Sequence, residues 1–174
     1  MDDADDLARA IRSVARLEGT FTLRSGAPSN TYFDKYRFEA DPVLLRRIAT
    51  ALQGLLPPET TVLAGLELGG IPLVTVLGQV TGLPTAFLRK AAKTYGTCRS
   101  AEGTPLAGER VVLIEDVVSS GGAIIDQLAL LAAEGVGPRT AVCVIDRESG
   151  GTEALAAHGV ELRALFTLSR IEAA

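Results

Sequence analysis

Two adjacent acids close an apolar run at residues 111 to 124, VVLIEDVVSSGGAI, and a hydroxyl- and glycine-rich turn follows them. A carboxylate is costly to bury, so Glu115 and Asp116 are expected where the run reaches the surface or meets a charged ligand. Ser119, Ser120, Gly121 and Gly122 precede a helical pattern that starts near Ala123. Free backbone N–H groups and hydroxyls at such a turn can cradle a phosphate. Acids beside an anion cradle suit a sugar phosphate, whose hydroxyls donate to carboxylates while the amides hold the phosphate. A plainer reading of the pattern is a strand leading to a Ser-capped helix with two solvated acids.

A second group of charges lies at Arg89, Lys90 and Lys93. The chain has 14 arginines and three lysines, and two of the lysines fall here. An ammonium is a compact point charge and a guanidinium a planar fork, so the choice of Lys in an Arg-rich chain is informative. A solvated basic loop is the bland alternative. The third concentration is aromatic: Phe21, Tyr32, Phe33, Tyr36 and Phe38 are five of the eight aromatics and surround the turn SGAPSN.

These groups need a scaffold. Residues 2 to 18 predict a helix with Leu7, Ile11, Val14 and Leu17 on one face, stopped at Gly19, and residues 21 to 38 an aromatic hairpin. Asp41 caps a helix with Pro42 at its first position, running to about Leu56. Strands TVLAGLE, TAFLR, RVVLIEDVV, RTAVCVIDR and VELRALFT then alternate with helices IPLVTVLGQVTG, AIIDQLALLAAEG and TEALAAHG. Such alternation implies parallel βαβ units and a sheet covered on both faces. Residues 89 to 109 show no firm periodicity, and loops that long in compact domains are usually functional.

Composition narrows the classes. A chain of 174 residues suits one domain. Four of the 21 acids are Asp2, Asp3, Asp5 and Asp6, which leaves the remainder neutral and argues against nucleic-acid binding. Cys98 and Cys143 form neither a zinc motif nor a disulfide framework, consistent with a reduced, cytoplasmic setting. MDDADD is no secretory start. Leu68 to Leu88 is uncharged, but Gly and Pro break it far below the ~20 residues of a membrane span. No G-x-x-x-x-G-K-[ST] or G-x-G-x-x-G motif is present, which disfavours P-loop and dinucleotide sites. His158 fits a dipole-stabilised helix end, Cys143 a strand core, and Cys98 an exposed thiol in the loop.

VVLIEDVVSSGGA resembles, position by position, the thirteen-residue phosphoribosyl-pyrophosphate (PRPP) signature of type I phosphoribosyltransferases. RKAAKTYG narrows the resemblance to the orotate phosphoribosyltransferase family, whose lid reads R-K-x-x-K-x-H-G. FTLRSGAPSNTYFD is similar to that family's hood, GLELGGIPL to its pyrophosphate loop and CVIDRESGG to its D-R-x-x-G segment. The matches run in family order from about residue 20 to 168.

The resemblance implies an α/β type I phosphoribosyltransferase fold: a single domain over 1–174, a central mostly parallel sheet flanked by helices, a small hood from about 19–40 and a lid at 89–109. It implies transfer of phosphoribosyl from PRPP to orotate, with release of pyrophosphate. Glu115 and Asp116 would hold the ribose 2- and 3-hydroxyls and Ser119, Ser120, Gly121, Gly122 and Ala123 the 5-phosphate, with Val117 and Val118 also part of the PRPP site. Arg89, Lys90, Lys93, Tyr95, Gly69 and Gly70 would serve the pyrophosphate, with Arg89, Lys93 and Asp116 the catalytic set. Arg24, Tyr32, Phe33, Ser119 and Arg147 would frame orotate. Mg²⁺ would enter with PRPP rather than on a protein cage. A homodimer is implied, with each lid acting in its neighbour's site.

The chain departs from the family in three places. Tyr95 replaces the lid His, so that position can donate a hydrogen bond but carries no positive charge. Arg24 replaces the hood Lys. Gly69 stands where many members have Lys, leaving the pyrophosphate loop one cation short. Two other functions compete: a phosphoribosyltransferase for another nucleobase, and a PRPP-binding regulator without turnover. Retention of Arg89, Lys90 and Lys93 speaks against the regulator, which needs no pyrophosphate clamp.

Overall fold

The computed structural model describes residues 4–22, 26–90 and 100–174. Helix α1 (Ala4–Ala15) leads directly into strand β1 (Arg16–Thr22), which pairs antiparallel with β2 (Pro28–Phe33). The expected helix to residue 18 therefore ends early. Arg16 pairs with Phe33 and Leu17 with Tyr32, and these cross-strand partners claim the backbone from the helix. Gly19 is not a helix stop; it lies where the β1 register shifts, between Glu18 and Phe21.

The expected hairpin to residue 38 also ends early, at Phe33. Asp34 accepts a hydrogen bond from Tyr36 N–H and opens helix α2 (Lys35–Ala40). Phe38 is core, fully buried, but from a helix; Tyr36 on the same helix is 47% exposed. Asp41 then caps α3 (Pro42–Gln53) by accepting from Val43 and Leu44 N–H at 3.0 Å each. Each cap contributes about 1 kcal/mol.

From Val62 the chain alternates as its periodicity predicts: β3 (Val62–Leu66), α4 (Gly70–Thr81), β4 (Thr85–Leu88), β5 (Ala101–Gly103), β6 (Val111–Val118), α5 (Gly122–Ala133), β7 (Thr140–Asp146), α6 (Gly151–Ala157), β8 (Glu161–Thr167) and α7 (Leu168–Ala173). The sheet order is β5-β4-β3-β6-β7-β8, all parallel except β5, which runs antiparallel on β4. Strand β5 falls inside the stretch expected as loop. Only three residues long, it leaves no readable alternation; Ala101 simply pairs with Leu88 at the sheet edge. Helix α7 is likewise too short to show a period, burying only Ile171.

Alternation along the strands divides the core. Leu63, Val112, Ile114, Val142 and Val144 pack with α1, α3 and α4, while Val62, Ala64, Leu113, Ala141 and Cys143 pack with Ile124, Leu131 and Leu155 on the other face. Successive strand residues point to opposite faces, so the uninterrupted apolar runs are those of strands buried on both sides. The chain moves outward from β3 to β4, then returns to place β6 on β3's other flank. That reversal lies between β3 and β6, and a crevice opens at the carboxyl ends of strands at such a point.

Candidate functional site

Strand β6 carries the two acids into this crevice, but not to the surface. It continues two residues past them; Glu115 is 8% exposed and Asp116 0%. The reading with two solvated acids is thus excluded, and the physical reason the acids can be buried is a counter-charge. Lys35 Nζ, from the first turn of α2, stands 2.7 Å from Asp116 Oδ2. Glu115 folds back to accept Asp116 N–H at 3.1 Å. Glu39, one turn along α2 from Lys35, is buried against the same carboxylate, and its Oε1 has no hydrogen-bond partner. Asp116 Oδ2 also lacks a well-directed hydrogen bond despite the close ammonium, so the contact with Lys35 is chiefly ionic.

Burial and the neighbouring Asp116 push Glu39 up to about 9 and Glu115 well above the usual carboxylate range. Burial opposes charge on Asp116 too, but protons shared from Glu115, Glu39 and Lys35, together with the ammonium charge, outweigh it and hold its carboxyl low. Lys35 is raised: burial lowers it, and its bond to Asp116 with the charges of Asp116 and Glu115 more than compensates. The cluster of three carboxyls and an amine therefore favours its negative charge on Asp116, beside the Lys35 ammonium.

Two loops flank the acids. After β3, Gly69 precedes α4; a Cβ there would lie 1.7 Å from Asp116 Oδ2, so the loop touches the acid only because residue 69 is glycine. After β6, Gly121 takes φ +76° and turns the chain into α5, with Ser119, Ser120, Gly122 and Ala123 exposed around it. Helices α4, α5 and α6 start without a side-chain cap, whereas α2, α3 and α7 are capped by Asp34, Asp41 and Thr167. At α4 and α5 the open amides face the acid strand's end and are available to anions.

A cleft of about 680 Å³ opens beyond them. Tyr32, Phe33, Ser119, Val117 and Arg147 line it, as does Lys35. Tyr32 is 45% exposed, with its ring 5.5 Å from that of Phe21. Arg147 N–H donates to Val118 O at 2.8 Å, tying the segment after β7 to the end of β6. A cleft lined by aromatic side chains and an arginine can take a flat, anionic ring.

Arg89 and Lys90 lie outside that cleft, at the root of the 89–109 segment. Arg89 N–H donates to Ser100 O, and Gln127 Nε2 donates to Arg89 O at 2.6 Å. Lys90 N–H donates to Glu67 Oε1, which links this root to the loop after β3. Arg24, Lys93, Tyr95 and Cys98 lie outside the described residues. Sequence reasoning missed Lys35, Glu39, Glu67 and Gln127. Lys35 had a signal, being the third lysine of an arginine-rich chain. His158 sits at the end of α6 as expected, its Nδ1 2.9 Å from Ala154 O, and Cys143 is buried strand core whose thiol is pushed up by burial and nearby acids.

Residues 38–160 match the phosphoribosyl transferase domain family. The orotate phosphoribosyltransferase of Nocardioides sp. is 51% identical over 97% of this chain and 94% of its own. That of Halobacterium salinarum is 42% identical over 97% of each. Among solved structures, Mycobacterium tuberculosis orotate phosphoribosyltransferase in complex with PRPP superposes with a TM-score of 0.81 at 25% identity, covering 98% of this chain and 99% of that one.

Proposed function

The chain belongs to the phosphoribosyltransferase family, in its orotate branch, and from that premise we propose how its residues divide the reaction. The enzyme transfers the 5-phosphoribosyl group of PRPP to orotate, giving orotidine 5′-monophosphate and pyrophosphate. The observation that carries the assignment of roles is the meeting, at one crevice, of an ionised buried acid, two uncapped helix starts and an aromatic cleft with Arg147.

Amides of residues 119 to 123 and the Ser119 and Ser120 hydroxyls hold the 5-phosphate. Asp116 accepts from a ribose hydroxyl, and Glu115 presents the other half of that contact. Tyr32 and Phe33 stack the orotate ring, and Arg147 with Arg24 takes its carboxylate. The α4 start, with Gly69 and Gly70, receives the pyrophosphate, assisted by Arg89, Lys90, Lys93 and Tyr95 from the lid. Pyrophosphate departure leaves an oxocarbenium-like sugar, which the ring nitrogen of orotate captures. These residues position the partners, stabilise the departing charge and keep water from the sugar.

Mg²⁺ fits as an ion carried by PRPP. Lys35 already places a positive charge 2.7 Å from Asp116, and Glu115 accepts Asp116 N–H, which disfavours a dication held directly on the pair while leaving carboxyl oxygens to meet ribose hydroxyls. Carried in with PRPP, Mg²⁺ would supply charge neutralisation for the diphosphate. A single domain over 1–174 with a hood at 19–40 and lid at 89–109, a cytoplasmic setting with Cys143 a buried thiol, and a homodimer with lids acting in trans complete the proposal.

Pyrophosphate release from PRPP and Mg²⁺, measured with orotate, uracil, hypoxanthine, adenine or no base, tests the function. Release with orotate alone is expected. Release with another base moves the chain to a sister activity, and PRPP binding without release makes it a regulator. For the trans lid, mixed Lys93→Ala and Asp116→Ala subunits should recover part of the activity that each variant lacks. No recovery, with subunit exchange verified, places the lid in its own site.

A further inference from the structure

The loop after β3 has no side-chain cation at position 69, and a Cβ there would overlap Asp116 Oδ2. Lys35 Nζ lies 2.7 Å from that same oxygen. The ammonium is thus one contact away from where a side chain at 69 would begin, although it arrives from a different element. Its backbone is fixed by neighbours: Asp34 N–H donates to Ala15 O at 2.8 Å, and the Asp34 side chain caps α2. The side chain is one-third exposed and lines the cleft, so it is not sealed inside an ion pair. An ammonium has three donors, and Asp116 takes at most one along this line.

We propose that Lys35 is a diphosphate-binding residue: from the first turn of α2 it supplies the pyrophosphate moiety of PRPP with the cation that Gly69 cannot carry. The inference rests on the phosphoribosyl-transfer reading and extends it to a residue outside the loop and the lid. Its geometry separates two roles. A cation that only supports Asp116 matters for ligands that use Asp116. One that touches diphosphate matters for diphosphate even without a ribose.

Magnesium pyrophosphate and ribose 5-phosphate therefore serve as separate probes, titrated calorimetrically against the full chain. Lys35→Met is expected to weaken pyrophosphate about tenfold or more, and several-fold more than it weakens ribose 5-phosphate, whose contact with Asp116 it disturbs only through the lost counter-charge; Lys35→Arg should recover part of the loss. Loss of ribose 5-phosphate alone, or equal loss of both, makes Lys35 a support for Asp116 and overturns the proposal, as does unchanged pyrophosphate affinity. If Lys35→Met does not fold, Asp116→Asn compared with Asp116→Asn/Lys35→Met reads the same difference with no buried anion left unpaired. Wild-type protein that binds neither PRPP nor pyrophosphate would overturn the phosphoribosyl reading itself, and this inference with it.

Discussion

The two halves of the crevice are built in opposite ways. On the sheet side, β6 and its following turn are locked: the strand is paired on both edges, Asp116 is fully buried, and Gly121 packs against α6. On the other side, the β1–β2 ribbon is a two-stranded sheet of its own, mostly exposed along both strands. Two strands alone are marginal in water, so the ribbon depends on α1, which runs into it, and on α2, which leaves it. The contrast suggests different tolerances: the proposed phosphate side rests on closely packed positions, and the proposed base side on a more exposed surface. Lys35 stands at the junction, on the ribbon's helix but bonded to the sheet's acid.

The sharpest way to break this comparison is at Gly69. In Gly69→Ala the new Cβ would meet Asp116 Oδ2, so either the loop or the acid must move. Overpacking of this kind costs about 1–3 kcal/mol, and displacement of a positioned acid costs turnover about 10²- to 10³-fold. Steady-state kinetics with a melting curve checks both. Near-normal turnover would show that the sheet side is as adaptable as the ribbon.

Tyr32→Ala examines the other side and should do less. Loss of the aromatic face is expected to raise KM for orotate about tenfold, with KM for PRPP changed under about threefold and the fold intact. A comparable rise for PRPP would mean that the ribbon helps to build the phosphate side.

The same division governs what the sequence made legible. Apolar runs at Val62–Leu66, Val111–Val118 and Thr140–Asp146 are strands because both faces are buried, a property written into each run locally. The ribbon's limits depend on partners: Arg16 and Leu17 continue a helical pattern but pair with Phe33 and Tyr32. The acid pair and the phosphate turn were readable for the same local reason, and Arg147 and the aromatic wall through resemblance. Lys35, although marked by its residue type, and Glu39 could not be assigned to the site, because no spacing along the chain relates α2 to Asp116; only the return of β6 to the flank of β3 brings them together.

The smallest effect separates holding charge from holding shape at that junction. Folded Glu39 keeps its proton up to about pH 9, whereas an unfolded glutamate loses it near 4.5. Below 4.5 both states are protonated and the residue contributes no pH dependence. As pH rises through this window the unfolded state binds fewer protons, so stability falls with pH. Glu39→Gln removes the ionisation while keeping a donor in the same place. It should leave stability almost unchanged at pH 4 and raise it at pH 8 by about 1–2 kcal/mol, the full shift being discounted for relaxation and water reaching the site, or a Tm gain of a few degrees. Melting curves at the two pH values decide the matter. A gain of equal size at both would assign the effect to packing, and Asp116 would then owe its charge to Lys35 alone rather than to a proton held opposite it on Glu39.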